Sequence, residues 1–229
     1  MMEKVTIHSR AGNAIATLYP PIEHLQEVWA RGEFFETRLL EYIYWHYKGG
    51  VFVDVGSAIG NHSLFFAKFC APQHVISVEP VKANVERQRE LFKLNDVTVR
   101  VYQCALSDKP GMGVMEPFAS RNLGQWRIVK IPPNSIPLDR DGVQVMTLDA
   151  LLEGVDGRRI TLVKVDVEGH ELKVLQGGER TLAHNRPALF LEIRNRSQHR
   201  AITEYLARFG YAQVGSVFQD ATVFEFTVT

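Results

Sequence analysis

The stretch at residues 51–63, VFVDVGSAIGNHS, limits what this chain can fold into more than any other. The run Val51-Phe52-Val53 is a β-type apolar segment that ends in a carboxylate, Asp54. Gly56 and Gly60 then break the chain, and Asn61, His62 and Ser63 lead into the apolar Leu64-Phe65-Phe66. This order predicts strand, glycine turn, helix. Gly56 and Gly60 can adopt positive φ and carry no Cβ, so a ligand can lie against the backbone at the free amides of a helix N-terminus. The turn is expected to serve a nucleotide-like ligand.

The flanking residues narrow the choice. A phosphate-binding loop needs Lys and Ser or Thr after its last glycine, and here Asn61 and His62 stand there. The dinucleotide fingerprint wants three glycines, and residues 54–60 supply two. An acid at the strand end repels a pyrophosphate but suits the ammonium of an amino acid. A second acid, Glu79, ends the next apolar run, His74–Val78, where ribose hydroxyls need an acceptor. The two requirements together point to S-adenosylmethionine. The expected contacts are Asp54, Gly56, Ser57, Gly60, Asn61 and His62 from the turn, and Glu79 and Pro80 from the next strand end. Taken singly, Asp54 reads equally well as a helix cap and Glu79 as a solvated strand end.

A chain of 229 residues, 45% hydrophobic, can bury one sizeable core, and residues 1–229 are expected to form a single domain. Lys plus Arg and Asp plus Glu each total 26, so no overall field draws nucleic acid or an anionic membrane, and no nucleic-acid partner is expected. Cys70 and Cys104 are too few for a metal site and read as reduced, buried filler. No signal-like start or bilayer-length apolar run is visible, which predicts a cytoplasmic protein and leaves a homodimer open.

Along the chain, residues 1–50 combine a weak alternating run with an aromatic stripe at helical spacing. They predict a short hairpin or arm and then an N-terminal helical cap on the sheet, with Glu36 its candidate acceptor-binding residue. A helix is expected over residues 81–94. The alternation of Val97, Val99 and Val101 with polar residues predicts an edge strand. It leads to Cys104-Ala105-Leu106-Ser107-Asp108. Ala105 and Leu106 offer a surface for adenine, and Ser107 or Asp108 can meet its exocyclic amine; an ordinary strand-to-turn exit explains the same residues. Residues 109–146 interrupt the alternation with four proline-marked breaks and short β-like pieces. This β-rich insertion is expected to cover the acceptor through Arg121, Asn122, Gln125, Trp126 and Arg127, with Asn122 and Arg127 as the main contacts, unless it is a decorative hairpin.

The apolar run Ile160–Val165 predicts a central parallel strand ending in Asp166, Glu168, His170 and Glu171. Ligands bind beyond the carboxyl ends of such strands, so Asp166 and Glu168 should share a crevice with Asp54. Glu171 fits the first turn of the following helix, where its charge meets the dipole, and Glu168 is assigned to chemistry. Glu192 ends the next apolar strand, residues 188–193, where a carboxylate must be paired or working. An amphipathic helix from Ser197 and a closing antiparallel hairpin complete the pattern.

The ordered set VFVDVGSAIGNHS, VISVEP, CALSD, RNLG, MTLDALL, LVKVDVEGHELKVLQGG and RPALFLEI resembles the FkbM-type family of S-adenosylmethionine-dependent methyltransferases, over about residues 30–195. The resemblance implies an α/β, Rossmann-like class I methyltransferase sheet of seven strands, order 3-2-1-4-5-7-6 with strand 7 antiparallel. It also implies O-methylation of a sugar, glycan or small natural product. The family commonly has Ala-Asn where this chain has Ser57-Ala58, so no side-chain contact carries over to Ala58.

Methyl transfer needs the acceptor oxygen roughly 3 Å from the methyl carbon, in line with it, and an alcohol must also lose its proton. Glu168 is the first candidate base, Asp166 orients cofactor or acceptor, and Glu192 and His170 come second. A Mg²⁺ held by Asp166, Glu192 and Asn195 against a diol is an alternative, though no metal is the expectation. An inactive cofactor-binding scaffold is another, disfavoured because it has no need for the acids of Asp166-Val167-Glu168.

Overall fold

The computed structural model describes residues 2–22, 24–117, 126–131, 142–155, 157–218 and 222–229. Period-two alternation in Glu3–Ser9 (β1) and Gly12–Leu18 (β2) makes an antiparallel hairpin that turns Ile7, Ala14, Ala16 and Leu18 inward. The helices His24–Ala30 (α1) and Thr37–His46 (α2) follow, and they bury Val28, Trp29, Leu39, Leu40 and Ile43.

Strand and helix then alternate through Val51–Val55 (β3), Asn61–Phe69 (α3), His74–Val78 (β4), Lys82–Leu94 (α4) and Arg100–Tyr102 (β5). Of the alternating stretch at 97–101, only Arg100 and Val101 enter a strand. The preceding valines instead pack, half-buried, against the cluster that holds Leu91 and Phe92 of α4. Ala105–Leu106 (β6), Gly111–Pro117 (β7), Trp126–Ile131 (β8) and Val143–Met146 (β9) form a separate four-stranded sheet, order β6-β9-β7-β8. Leu148–Leu152 (α5) starts at Thr147, whose hydroxyl accepts from the Ala150 amide at 3.1 Å. After it come Ile160–Val165 (β10), Glu171–Gln176 (α6), a π-helical turn at Thr181–Asn185 and Ala188–Glu192 (β11). Arg196–Ala207 (α7) begins just ahead of Ser197, because Asn195 is the cap: its Oδ1 accepts from the Gln198 amide at 2.9 Å. Tyr211–Phe218 (β12) and Val223–Val228 (β13) close the chain as an antiparallel pair.

The main sheet has seven strands in the order β12-β13-β11-β10-β3-β4-β5. β11, β10, β3, β4 and β5 run parallel, and β13 is antiparallel to β11. One face packs Val53, Val55, Val163, Val165 and Leu191 against α5, α6 and α7. The other packs Phe52, Val75, Leu162 and Phe190 against α2, α3, α4 and the N-terminal hairpin. On this second face the next positions along the strands are polar: Ser77 pairs with Asp54 across β4 and β3, and Asp54 with Lys164 across β3 and β10. The apolar core thus gives way to a buried polar row at the carboxyl ends of the strands. Among the described residues, no helix is long and apolar enough to cross a membrane.

Candidate active site

A cavity opens at the carboxyl ends of β3, β4 and β10. Its base is made by Gly56 and Ala58 of the glycine turn together with Glu79 and Pro80 after β4. Cys104, Ala105 and Leu106 form one apolar wall, and Met115 of β7 and Ile128 of β8 close over it. Asp166, Val167, Glu168 and His170, which follow β10, complete the lining. Of the residues singled out in the sequence, the cavity therefore brings together Gly56, Glu79, Pro80, Ala105, Leu106, Asp166, Glu168 and His170.

Glu79 is the best-organised acceptor among them. Its carboxylate receives the amides of Ala58 and Val81, each at 2.9 Å, and the Asn84 side-chain amide at 3.3 Å. Burial nevertheless dominates and pushes its pKa up to about 7, since these three donors offset only part of the lost hydration. The Ala58 amide reaches Glu79 because Ala58 adopts φ of 48°, a left-handed conformation that costs about 1 kcal/mol for a non-glycine residue.

The other turn residues are held by packing and buried hydrogen bonds. Gly56, φ 79°, is required by packing: a Cβ there would stand 1.7 Å from the carbonyl oxygen of Asp166. Gly60, φ 92°, faces Gln88 and Phe92 of α4, each 3.0 Å from its would-be Cβ, and does not line the cavity. Ser57 belongs to a buried web in which Gln88 Nε2 donates to its hydroxyl at 2.8 Å and its hydroxyl exchanges a 2.7 Å bond with Ser77. The Asn61 amide is consumed by the N-terminal segment. Its Oδ1 accepts from Trp29 Nε1 at 2.9 Å and from the Phe35 amide at 3.1 Å, and its Nδ2 donates to the Phe35 carbonyl at 2.9 Å. His62 Nε2 donates to Glu36 at 2.7 Å, both side chains are buried, and neither lines the cavity. Asp54 is fully buried behind the turn: Oδ2 accepts from Ser63 at 2.7 Å, and Oδ1 has no hydrogen-bond partner among the described residues.

Across the cavity, oxygens of Asp166, Glu168 and Glu192 lie within 4.8 Å of one another. Two cations serve them. Lys164 Nζ stands 3.3 Å from Asp166, and Arg194 forms ion pairs with Glu168 and, at 3.0 Å, with Glu192. Burial alone would raise Asp166, but the Lys164 charge and the hydrogen bonds from Glu192 and Lys164 hold it below the usual carboxylate range. Burial raises Glu192, and the neighbouring Asp166 charge raises it further. Glu168 is raised by burial, which Arg194 only partly offsets.

The loop carrying Glu168 is shaped by Glu171. That carboxylate, 1% exposed, accepts the amides of Val167 at 3.1 Å and Gly169 at 3.0 Å and is also bonded to Gln198. It therefore does more than complement a helix dipole: it stabilises a turn in which Glu168 sits at φ 57°. His170 Nε2 lies 2.9 Å from the Ser107 hydroxyl, which places His170 on the Ala105-Leu106 side and occupies Ser107 outside the cavity lining. Asn195, the third ligand of the magnesium alternative, is engaged as the α7 cap. Asn122 lies outside the described residues, as do Arg121 and Gln125; Arg127 is in β8 opposite Glu116. The residues that the sequence did not single out are Lys164, Arg194, Asn84, Met115 and Ile128.

The model of the methyltransferase FkbM domain matches residues 54–212. The hexuronic acid methyltransferase AglP of Haloferax volcanii is 30% identical over 161 residues, which cover 68% of this chain and 62% of AglP. In structure, the chain resembles the methyltransferase FkbM of Methylobacillus flagellatus, with TM-score 0.54, 18% identity, and 78% of this chain and 43% of that one covered. It also resembles the ribosomal protein L11 methylase of Lactobacillus delbrueckii subsp. bulgaricus, with TM-score 0.50, 12% identity, and 85% and 79% covered. The chain thus spans less than two thirds of AglP and less than half of the Methylobacillus protein. At these identities the structural likenesses establish the methyltransferase-like α/β fold.

Proposed function

The chain belongs to the FkbM methyltransferase family, and we propose that it transfers a methyl group from S-adenosylmethionine to a hydroxyl of a sugar or glycan. We read its seven-stranded sheet as the class I arrangement, 3-2-1-4-5-7-6 with strand 7 antiparallel. The observation that carries the proposal is the pairing of unlike walls around one cavity. Glu79 faces the opening beside an apolar slot on one side, and Asp166 and Glu168 face it on the other.

The residues present fit the cofactor. Glu79 supplies a carboxylate for the ribose diol. Ala105, Leu106, Met115 and Ile128 supply flat apolar cover for the adenine, and the anionic Asp166 suits a cationic group at the strand end. When bound, S-adenosylmethionine supplies an electrophilic methyl group. The chain's part is then to hold the acceptor oxygen in line and take its proton. Proton removal falls to Glu168, which lines the cavity; burial raises its proton affinity, and Arg194 keeps it oriented until it is protonated. Asp166 orients, and Glu192, which does not line the cavity, lies with its oxygen within 4.8 Å of those of Asp166 and Glu168 and backs them. The relative AglP, named as a hexuronic acid methyltransferase, supports a sugar acceptor.

The test is methyl transfer from labelled S-adenosylmethionine to a panel of neutral and uronic-acid glycans. Glu168→Gln should retain cofactor affinity and lower kcat by about 10²–10⁴. An unchanged rate in Glu168→Gln would mean that the acceptor brings no proton to remove, as with a carboxylate. Cofactor binding without transfer to any acceptor would favour a scaffold.

A further inference from the structure

The imidazole of His170 lines the cavity and has no part in the proton transfer proposed above. Its Nε2 lies 2.9 Å from the Ser107 hydroxyl. Ser107 is fully buried, and the same hydroxyl lies 2.9 Å from Asp108 Oδ1. A hydroxyl has one proton to give, and a carboxylate has none. Asp108 is paired through its other oxygen with Lys173 at 3.3 Å, so it stands as an acceptor and takes the Ser107 proton. Ser107 Oγ is then left to accept from His170. In the neutral ring this puts the proton on Nε2 and makes Nδ1 the acceptor nitrogen. The reverse arrangement, with Ser107 donating to Nε2, would set its lone pairs against the carboxylate oxygen.

Backbone fixes both ends of this bond. The Ser107 amide donates to the Met146 carbonyl of β9 at 2.9 Å. On its other side, Gly177 at the end of α6 comes so close that a Cβ there would stand 2.1 Å from the Ser107 carbonyl oxygen. The His170 carbonyl accepts the amides of Lys173 and Val174 at 3.0 and 3.2 Å, so the ring is carried on the first turn of α6.

We propose that His170 reads the purine of the cofactor: Ser107 and Asp108 hold its ring as the Nε2–H tautomer, and Nδ1 accepts a hydrogen bond from the 6-amino group. This assignment rests on the cofactor proposed above. Ser107 follows directly on Ala105 and Leu106, the apolar slot fitted to the adenine, so its bond to His170 brings the imidazole to that end of the cavity. The slot and its cover, Met115 and Ile128, accept any flat ring, whereas an imine nitrogen is satisfied only by a ligand that carries a donor. The contact with the exocyclic amine, expected from the sequence at Ser107 or Asp108, thereby passes to His170, and those two act through it as positioning residues.

Two ligands test this on the full chain: S-adenosylhomocysteine and its analogue whose purine lacks the 6-amino group. In calorimetry the wild type should prefer S-adenosylhomocysteine by about fivefold or more, and His170→Ala should bring the ratio close to one. Asp108→Ala releases the Ser107 proton towards Nε2, so its ratio should fall between the two. Nitrogen NMR of histidine-labelled protein at about pH 8, where an ordinary imidazole is neutral, should show the His170 proton on Nε2. The Nδ1 resonance should move when S-adenosylhomocysteine is added and stay in place with the analogue, and this reading decides if His170→Ala fails to fold. A wild-type ring protonated on Nδ1, or the same ligand ratio in wild type and His170→Ala, would overturn the proposal while leaving the cofactor intact. Binding of neither compound would count against the proposed function itself, and the tautomer set by Ser107 and Asp108 would then stand or fall on the ligand-free spectrum.

Discussion

Glu79 offers the most quantitative prediction. It is 5% exposed, and burial lifts its pKa from an ordinary 4.5 to about 7. A carboxyl group whose pKa is raised on folding stabilises the folded state fully below its unfolded value, and that contribution is lost as the pH climbs through the folded value. At 1.36 kcal/mol per pH unit, the loss from Glu79 alone is on the order of 3 kcal/mol. Glu79→Gln has no such titration. It also turns an amide NH₂ towards either the Ala58 or the Val81 amide, now 2.9 Å from an acceptor, at a cost of about 1–3 kcal/mol at any pH. Urea unfolding of both proteins at about pH 5 and about pH 8 should therefore show the advantage of wild type over Glu79→Gln shrinking by on the order of 3 kcal/mol at the higher pH. The cofactor should act in the opposite sense. Ribose hydroxyls donate best to the ionised carboxylate, so affinity for S-adenosylhomocysteine should rise as the pH passes about 7 and then level off. A stability difference that stays constant between the two pH values would show that Glu79 titrates normally, and would refute the dominance of burial over its three donors.

Three further outcomes follow from the packing. Asn61→Ala strands the Trp29 indole N–H and the Phe35 amide, so it should cost about 1–3 kcal/mol in chemical denaturation while leaving cofactor affinity unchanged in calorimetry. Met115→Ala and Ile128→Ala thin the apolar cover of the cavity and should each weaken S-adenosylhomocysteine binding by up to about tenfold, or 1.4 kcal/mol. Gly56→Ala places a methyl 1.7 Å from the Asp166 carbonyl, and should abolish cofactor binding or folding as seen by circular dichroism, because neither backbone can give way.

What can be read from the residues, and what cannot, divides along sequence distance. The alternation of β3 to α4 and the polar ends of β4 and β10 are legible because periodicity and a terminal acid are local signals. Glu79, Asp166 and Glu168 stand out that way, and they line the cavity. Ser57, Asn61 and His62 carry the same donors and acceptors as ligand contacts, but the structure uses them to tie the helix start to α4 and to the N-terminal segment. Their partners lie 20 to 32 residues away in the chain, where no spacing rule reaches. Glu36 is conspicuous for its polarity within an aromatic stripe; its partner, 26 residues on, is not. Lys164 is visible as the lone charge in an apolar run, yet its meaning depends on acids from three other parts of the chain. Arg194 gives no local signal at all, because an arginine after a strand is ordinary until Glu168 folds back to meet it.

Isothermal calorimetry with S-adenosylmethionine, S-adenosylhomocysteine and NAD tests the central claim most directly. Saturable one-site binding is predicted for the first two, weakened in Glu79→Gln by about 1.5–3 kcal/mol for the lost charge-assisted hydrogen bonds, with no competing binding of NAD. Binding of NAD in their place, or no binding of either adenosyl compound to folded protein, would contradict it.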